Sequence, residues 1–160
     1  MSSFLPDISF VVPARNEAAN IGACVDALVQ QGFDGSFEVI VVDNGSSDDT
    51  AVIATAHGAR VVDEPRPGLA HARQAGLVVA LAPILVFIDA DTLLPPGWAS
   101  AALAEFRSRP RMVAFSPAFY FHDGRLVDNV GNGIFREVLC PLTNAVLLGL
   151  GRPGILIGST

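Results

Sequence analysis

Short runs of β-branched residues alternate along the chain with longer segments of helical period, and this alternation constrains the fold more than any other feature. The predicted strands are residues 8–12, 37–42, 60–63 and 84–88, and the predicted helices are residues 17–31, 48–57, 69–81 and 98–109. Such alternation is typical of an open sheet with crossover helices. We therefore predict an α/β fold, a Rossmann-like and mostly parallel sheet with helices on both faces.

Further elements are predicted after residue 109: short strands at residues 112–116, 119–121 and 155–157, and a mostly helical stretch over residues 126–150. Asn16 is predicted to cap the first helix, Ser46 and Ser47 to cap the second, and Gly58 to end it. Gly76 is expected only to weaken the third helix slightly. At 160 residues, the chain is expected to form a single domain over residues 1–160.

Charged or turn-forming residues follow each of the four predicted strands. They lie at residues 13–17, at residues 43–46, at residues 66–68 with the nearby His71 and Arg73, and at residues 89–91. Because ligands bind beyond the carboxyl ends of the strands in open α/β sheets, we expect these segments to form one site. His71 is expected to lie on a helix face and not to act as a base.

Asp89 and Asp91 directly follow the most continuously apolar strand, which is expected to be buried. In extended backbone, residues i and i+2 point to the same side, so the two carboxylates would lie together. A divalent cation relieves their repulsion, and Mg²⁺ or Mn²⁺ prefers such oxygen ligands together with substrate phosphates. Asp43 also ends an apolar strand, where it either accepts hydrogen bonds from a nucleobase or ribose or caps the next helix.

The basic residues limit the chemistry that is open to this chain. All ten are arginines, so a Schiff-base lysine and a phosphate-loop lysine are excluded, and a bound phosphate must be met by Arg, by backbone N–H groups or by a metal. The net charge of −6 argues against a nucleic-acid partner. Cys24 and Cys140 are far apart and have no CxxC spacing, which favours structural thiols in a reducing compartment.

No signal peptide is evident at the amino terminus. The two most apolar stretches, residues 77–88 and 146–157, are interrupted by Pro83 and by residues 151–154. Neither stretch reaches the roughly 18–20 apolar residues of a spanning helix. We therefore expect a cytoplasmic protein, with attachment to a membrane surface left open.

Four segments in register resemble motifs of the family 2 glycosyltransferases, which have the GT-A fold. They are FVVPARNE at residues 10–17, VVDNGSSDDT at residues 41–50, GLAHARQAG at residues 68–76 and FIDAD at residues 87–91. Their order and spacing match the family from about residue 8 to residue 98. Any one of these motifs is unspecific, whereas four in register are specific.

The resemblance implies a metal-assisted enzyme that transfers a sugar from a UDP- or GDP-linked donor, with inversion at C1, to the hydroxyl of a lipid-linked, polysaccharide or small-molecule acceptor. It implies that Asp91 ligates Mg²⁺ or Mn²⁺ on the donor diphosphate, that Asp89 lies by the ribose or the metal, and that Asp43 contacts the base. The other donor-binding residues that it implies are Pro13, Ala14, Arg15, Glu17, Asn44, Gly68 and Arg73.

In the family, the catalytic base lies in an acidic motif beyond a further strand and a Gly-Gly turn, and this sequence reaches Thr160 without such a motif. We name no base, because Glu105 fits a solvated helix face and the later carboxylates of Asp123, Asp128 and Glu137 lack a matching context. The acceptor part is thus expected to be incomplete, and the apolar residues 146–157 would favour self-association.

Two alternative functions stay open at this point. The first is a protein that binds the donor without transferring the sugar. The second is a sugar-nucleotide pyrophosphorylase, which uses a similar sheet but requires a glycine-rich first loop with basic residues, unlike residues 13–17.

Overall fold

The computed structural model describes residues 5–109, in which a four-stranded parallel sheet has the strand order β3-β2-β1-β4. In chain order the elements are β1 (Ile8–Ala14), α1 (Ile21–Val29), β2 (Phe37–Asp43), α2 (Thr50–Ala56), β3 (Arg60–Asp63), α3 (Leu69–Val79), β4 (Ile84–Phe87) and α4 (Trp98–Ser108). The eight elements predicted in this range are confirmed, and those predicted over residues 112–157 lie outside the described residues. Within residues 5–109, no helix has the length and hydropathy needed to cross a bilayer.

β1 is a central strand, and all seven of its residues are buried. Because successive side chains of a strand point to opposite faces, this one apolar strand supplies two cores. On one face, Phe10 packs in the larger core with Ile21 of α1 and Leu103 of α4. On the other face, Val11 packs in a second core with Ala72 of α3. The prediction of helices on both faces is therefore confirmed.

Gly76 marks the closest approach between α3 and the sheet. A Cβ built at this position would lie 2.2 Å from Val11 Cγ1 and 3.2 Å from Val42 Cγ2. The sequence suggested only a slight loss of helix propensity at Gly76. The structure shows that this residue lets α3 lie directly on β1 and β2, where no side chain would fit.

The starts of the first two helices differ from the predicted ones. α1 begins at Ile21, its N-cap position is Asn20, and Asn16 has a left-handed backbone with a φ of 57°. The Asn16 N–H donates to the Ser46 hydroxyl (3.0 Å), and the Ser47 N–H donates to Asn16 Oδ1 (2.8 Å). The predicted helix-capping roles of Asn16, Ser46 and Ser47 are therefore wrong, because these residues join the loop after β1 to the loop after β2.

β4 is less buried than predicted. In the described part of the chain it pairs with β1 alone and lies at the edge of the sheet, and its last residue, Phe87, is 42% exposed. The backbone turns soon after this strand, because the Thr92 N–H donates to the Asp89 carbonyl oxygen (2.9 Å). The prediction that Asp89 and Asp91 lie in extended backbone is wrong, since both belong to this turn.

A polar network lies at the amino ends of the strands. The Glu38 carboxylate accepts hydrogen bonds from the Ser9 hydroxyl (2.6 Å), the Arg60 guanidinium (2.8 Å) and the Leu81 N–H (2.7 Å). Burial by itself would raise the pKa of Glu38, but these hydrogen bonds lower it below its ordinary value. The network fixes the segment between α3 and β4, at the end of the sheet opposite to the predicted site.

Candidate functional site

A cavity of about 250 Å³ lies at the carboxyl ends of β1 and β2. Its lining residues are Pro13, Ala14, Arg15, Asn44, Gly68, Leu69 and Ala72. All but Leu69 and Ala72 were predicted to bind the donor. The volume lies below the roughly 300–1,000 Å³ of pockets that enclose a drug-sized ligand. The cavity therefore suits part of a larger ligand.

Asn44 is buried, and its side chain holds the loop between β3 and α3. Its amide nitrogen donates to the carbonyl oxygens of Glu64 (2.8 Å) and Arg66 (2.7 Å), and its amide oxygen accepts from the Gly68 N–H (2.8 Å). Both amide hydrogens and the oxygen are thus engaged with backbone. Asn44 shapes the cavity wall in this way, and its direct contact with a donor stays a prediction.

Glu64 is a buried carboxylate that the sequence analysis did not single out. Its oxygens accept from Nε (2.8 Å), Nη2 (2.7 Å) and the backbone N–H (2.9 Å) of Arg66. The hydrogen bond from the Arg66 side chain is the main cause that lowers the pKa of Glu64 to about 2. The only sign of this pair in the sequence is an acidic residue directly after a strand, two residues before an arginine.

The lowered pKa of Glu64 predicts a contribution to acid stability. A carboxyl with a lower pKa in the folded than in the unfolded state stabilises the protein fully above its unfolded value, and that contribution is lost as the pH falls through the folded value. For Glu64, the loss is expected between pH 4.5 and about 2. Urea unfolding at a series of pH values should show a shallower loss of stability in Glu64→Gln and Arg66→Ala than in the parent chain. Parallel curves for all three proteins would contradict the assignment.

The loop that carries Arg15 and Glu17 is bound to the loop after β2. The Glu17 N–H donates to the Thr50 hydroxyl (2.8 Å), and the Ala18 N–H donates to Asp48 Oδ2 (3.1 Å). Arg15 is exposed on the cavity rim. The VVDNGSSDDT segment, residues 41–50, therefore mainly holds the loop after β1 in place through these hydrogen bonds.

Asp43 lies at the end of β2, directly before the loop that makes these hydrogen bonds. Its Oδ1 accepts a hydrogen bond from the Ser46 N–H at 3.3 Å, which is a local turn contact. The residue is partly exposed at the carboxyl edge of the sheet. Its carboxylate thus has acceptor capacity left for a ligand, and its contact with a base stays a prediction.

Three of the predicted carboxylates converge on the buried thiol of Cys24. The Cys24 Sγ–H donates to the Asp89 carbonyl oxygen (3.8 Å). Burial is the main cause that raises the pKa of Cys24 to about 12, and the negative charges of Asp91, Asp89 and Glu17 raise it further. The turn after β4 and the loop after β1 therefore build one electronegative region, and the prediction of a structural thiol at Cys24 agrees with its burial.

Arg73 connects this electronegative region to the cavity. Its Nη2 lies 3.5 Å from Asp89 Oδ1, and the preceding residue, Ala72, lines the cavity. Its Nε is buried and has no hydrogen-bond partner within residues 5–109. A buried donor without a partner is costly to the folded protein.

The carboxylates have the chemistry of a hard-cation site. Asp91 is exposed, and within residues 5–109 its side chain makes no hydrogen bond or salt bridge, whereas Asp89 pairs with Arg73. The same residues contain no preassembled group of three metal ligands. A pair of carboxylates such as Asp89 and Asp91 fits Mg²⁺ or Mn²⁺, which is held in many enzymes by one or two carboxylates and the phosphates of a substrate.

Of the four later carboxylates that were considered as a base, the described residues include Glu105 alone. Glu105 lies on α4, where it forms an i,i+4 salt bridge with Arg109 at 2.8 Å, and both side chains are exposed. This agrees with the prediction of a solvated helix face. Asp123, Asp128 and Glu137 lie outside the described residues, as do the apolar residues 146–157.

The sequence matches a protein-family model and several known glycosyltransferases. The model for Glycosyl transferase family 2 matches residues 9–145. An uncharacterized glycosyltransferase of Mycobacterium bovis is 40% identical over 98 residues, which is 61% of this chain and 43% of that protein. Glucosyl-3-phosphoglycerate synthase of Mycobacterium tuberculosis is 41% identical over 97 residues, which is 55% of this chain and 30% of that protein.

Solved structures show the same similarity. The crystal structure of M. tuberculosis glucosyl-3-phosphoglycerate synthase in complex with Mn²⁺, UDP and glucosyl-3-phosphoglycerate has a TM-score of 0.63 and 32% identity, covering 91% of this chain and 52% of that one. The crystal structure of Staphylococcus aureus TarS has a TM-score of 0.60 and 26% identity, covering 64% of this chain and 20% of that one. The chain thus spans about half or less of these relatives.

Proposed function

The chain belongs to glycosyl transferase family 2, and on this premise we propose that it binds a UDP-linked sugar and takes part in transferring the sugar to an acceptor hydroxyl. Its sheet has the architecture of the GT-A glycosyltransferases. The observation that carries the proposal is the position of the cavity and the Asp89–Asp91 turn, which lie at one edge of the sheet and are connected by Arg73.

Uracil is the base that we propose for the donor. The M. tuberculosis synthase, which is 32% identical to this chain, is bound to UDP in its crystal structure. Asp43, which precedes the cavity residue Asn44 in the chain, would accept a hydrogen bond from the imide N–H of the base.

We propose that Asp91 holds a divalent cation on the donor diphosphate. Its carboxylate is exposed and has no protein partner within residues 5–109, and the neighbouring charges of Asp89 and Glu17 add to the attraction for a cation. A bound Mn²⁺ or Mg²⁺ would offset the negative charge that grows on the leaving diphosphate. The M. tuberculosis synthase has been crystallised with UDP and either Mn²⁺ or Mg²⁺.

The proposed reaction is a direct displacement at the sugar C1. The oxygen of the acceptor hydroxyl forms a bond to C1 as the bond from C1 to the diphosphate oxygen breaks, and the hydroxyl proton passes to a base. Arg73 would lie near the donor and would keep Asp89 in place through Nη2. Attack on the face opposite to the diphosphate inverts the configuration at C1.

No structural observation favours the pyrophosphorylase alternative. Residues 13–17 contain no glycine and run from β1 into a loop that is braced by Asp48 and Thr50. Binding of the donor without transfer is the remaining alternative, and it is separated from transfer by an assay of the products.

Calorimetric titration of the full chain with UDP and GDP tests the proposal. In the presence of Mn²⁺ we expect UDP to bind more tightly than GDP. We also expect removal of the metal with EDTA to abolish UDP binding. If neither nucleotide binds to the folded chain, the proposal is wrong. Tighter binding of GDP would contradict the choice of base only.

The stereochemistry of transfer is tested separately on the reaction product. With an α-linked UDP-sugar as the donor, NMR of the product is expected to show a β-linked sugar. An α-linked product would contradict inversion and leave sugar transfer intact. Recovery of the intact donor, with neither glycosylated acceptor nor free sugar, would indicate binding without transfer.

A further inference from the structure

We propose that Glu64 is a positioning residue for the nucleotide: its carboxylate binds Arg66 and, together with the Asn44 amide, holds the β3–α3 loop, residues 64–68, whose last residue, Gly68, lines the 250 Å³ cavity. This inference rests on the proposed function. Glu64 does not itself line the cavity, and it would act only through the shape of the loop.

Glu64 bends the loop by binding a residue two positions further along the chain. One carboxylate accepts from the Arg66 backbone N–H and from two nitrogens of its guanidinium. The Glu64 side chain is 6% exposed, whereas that of Arg66 is 63% exposed. The carboxylate is therefore the fixed partner, and it orders an arginine that would otherwise move in solvent.

Asn44 holds the same loop through the backbone of that loop. Its amide bonds reach the carbonyl oxygens of residues 64 and 66 and the N–H of residue 68, so two buried side chains hold alternate residues of the loop. Gly68, the last of these, has a φ of 121°, a value that L side chains rarely adopt. The loop backbone is thus held at residues 64, 66 and 68.

The loop conformation sets the position of the residues that meet the nucleotide. Gly68 is the N-cap residue of α3, and Gly68, Leu69 and Ala72 line the cavity. Arg73, which pairs with Asp89, follows in the same helical turn as Ala72. A loosened loop would therefore enlarge the cavity opening and shift the start of α3.

The carboxylate at Glu64 is charged at neutral pH, because its pKa is lowered to about 2. Glu64→Gln removes this charge and turns one acceptor oxygen into a donor, which faces the donors of Arg66. The variant therefore breaks the loop network with little change in side-chain volume.

Glu38→Gln is the matched control. Glu38 is also a mostly buried carboxylate that accepts hydrogen bonds from an arginine and a backbone N–H. It lies at the amino end of β2, and Glu64 follows the carboxyl end of β3. A loss of stability without an effect on the nucleotide is therefore expected for Glu38→Gln.

The test combines calorimetric titration of UDP and Mn²⁺ with amide hydrogen exchange on the full chain. We expect Glu64→Gln to raise the Kd of UDP about tenfold. This is the lower end of the loss in affinity that follows when a residue that positions a metal ligand is replaced. Glu38→Gln is expected to leave this Kd unchanged. Exchange at the Gly68 amide is expected to speed up in Glu64→Gln and to stay unchanged in Glu38→Gln. Arg66→Lys loses one of the two guanidinium contacts with Glu64, so its Kd and its exchange rate should lie between those of the parent and of Glu64→Gln.

Two results would overturn the inference: an unchanged Kd in Glu64→Gln, or an equal rise in Glu38→Gln. If the parent chain does not bind UDP, the proposed function fails first. The inference is then judged by exchange, and unchanged protection of the Gly68 amide in Glu64→Gln would refute it.

Discussion

Asp91→Asn is expected to weaken Mn²⁺-dependent binding of UDP by about 100-fold or more, because the variant replaces a charged metal ligand with a neutral amide. The carboxylate of Asp91 is exposed and has no protein partner within residues 5–109. Its loss should therefore leave the free energy of unfolding nearly unchanged. Calorimetry in Mn²⁺ measures the first effect, and urea unfolding measures the second.

Asp34→Asn is the control for this change in charge. Asp34 is exposed in the loop before β2, at the opposite end of the sheet. Its replacement is expected to leave the Kd of UDP as it is in the parent chain. Similar Kd values for Asp91→Asn and the parent would show that Asp91 does not hold the metal. A large loss of stability in Asp91→Asn would instead indicate a structural role for this carboxylate.

Gly76→Ala is expected to lower the free energy of unfolding by about 3 kcal/mol, at the upper end of the usual cost of overpacking a core. The added Cβ would lie 2.2 Å from Val11 Cγ1, in the buried contact between α3 and β1. Either the helix or the strand must move to admit it. Because α3 carries cavity residues, the same variant should weaken UDP binding. Urea unfolding followed by circular dichroism measures the stability.

Two further variants separate this clash from helix propensity. Gln74→Ala changes an exposed residue of the same helix and is expected to have little effect on stability. Val11→Ala removes the atom nearest to the added Cβ, so the double variant should be more stable than the sum of the two single changes predicts. Additive effects of the two changes would show that the Val11 contact is not the cause.

The order of the elements follows from the local pattern of the sequence. β1 and β2 are short apolar runs, and α1 carries its buried residues, Ile21, Cys24, Val25 and Leu28, at helical spacing. These signals depend only on neighbours in the chain. The polar segments after the strands were also predictable, because in a parallel sheet they reach the same edge whatever the loops do in detail.

The contacts between loops were not predictable in the same way. Ser46 and Ser47 have the residue types of helix caps, yet in the structure they hydrogen-bond to Asn16, some thirty residues earlier. Asp89 and Asp91 follow an apolar strand, yet they lie in a turn. In each case the residue type allows several partners, and packing selects one of them.

By itself, the sequence determined the alternation of strands and helices, the edge of the sheet that carries the polar residues, and the chemistry available there. Only the tertiary structure revealed that Gly76 must lack a side chain, that Asn44 directs its amide to the backbone, and that the buried Glu64 orders the β3–α3 loop. The physical reason is the separation along the chain over which each effect acts. Periodicity and residue type act between neighbours in the chain, whereas steric exclusion and the pairing of buried polar groups depend on atoms that only the fold brings together.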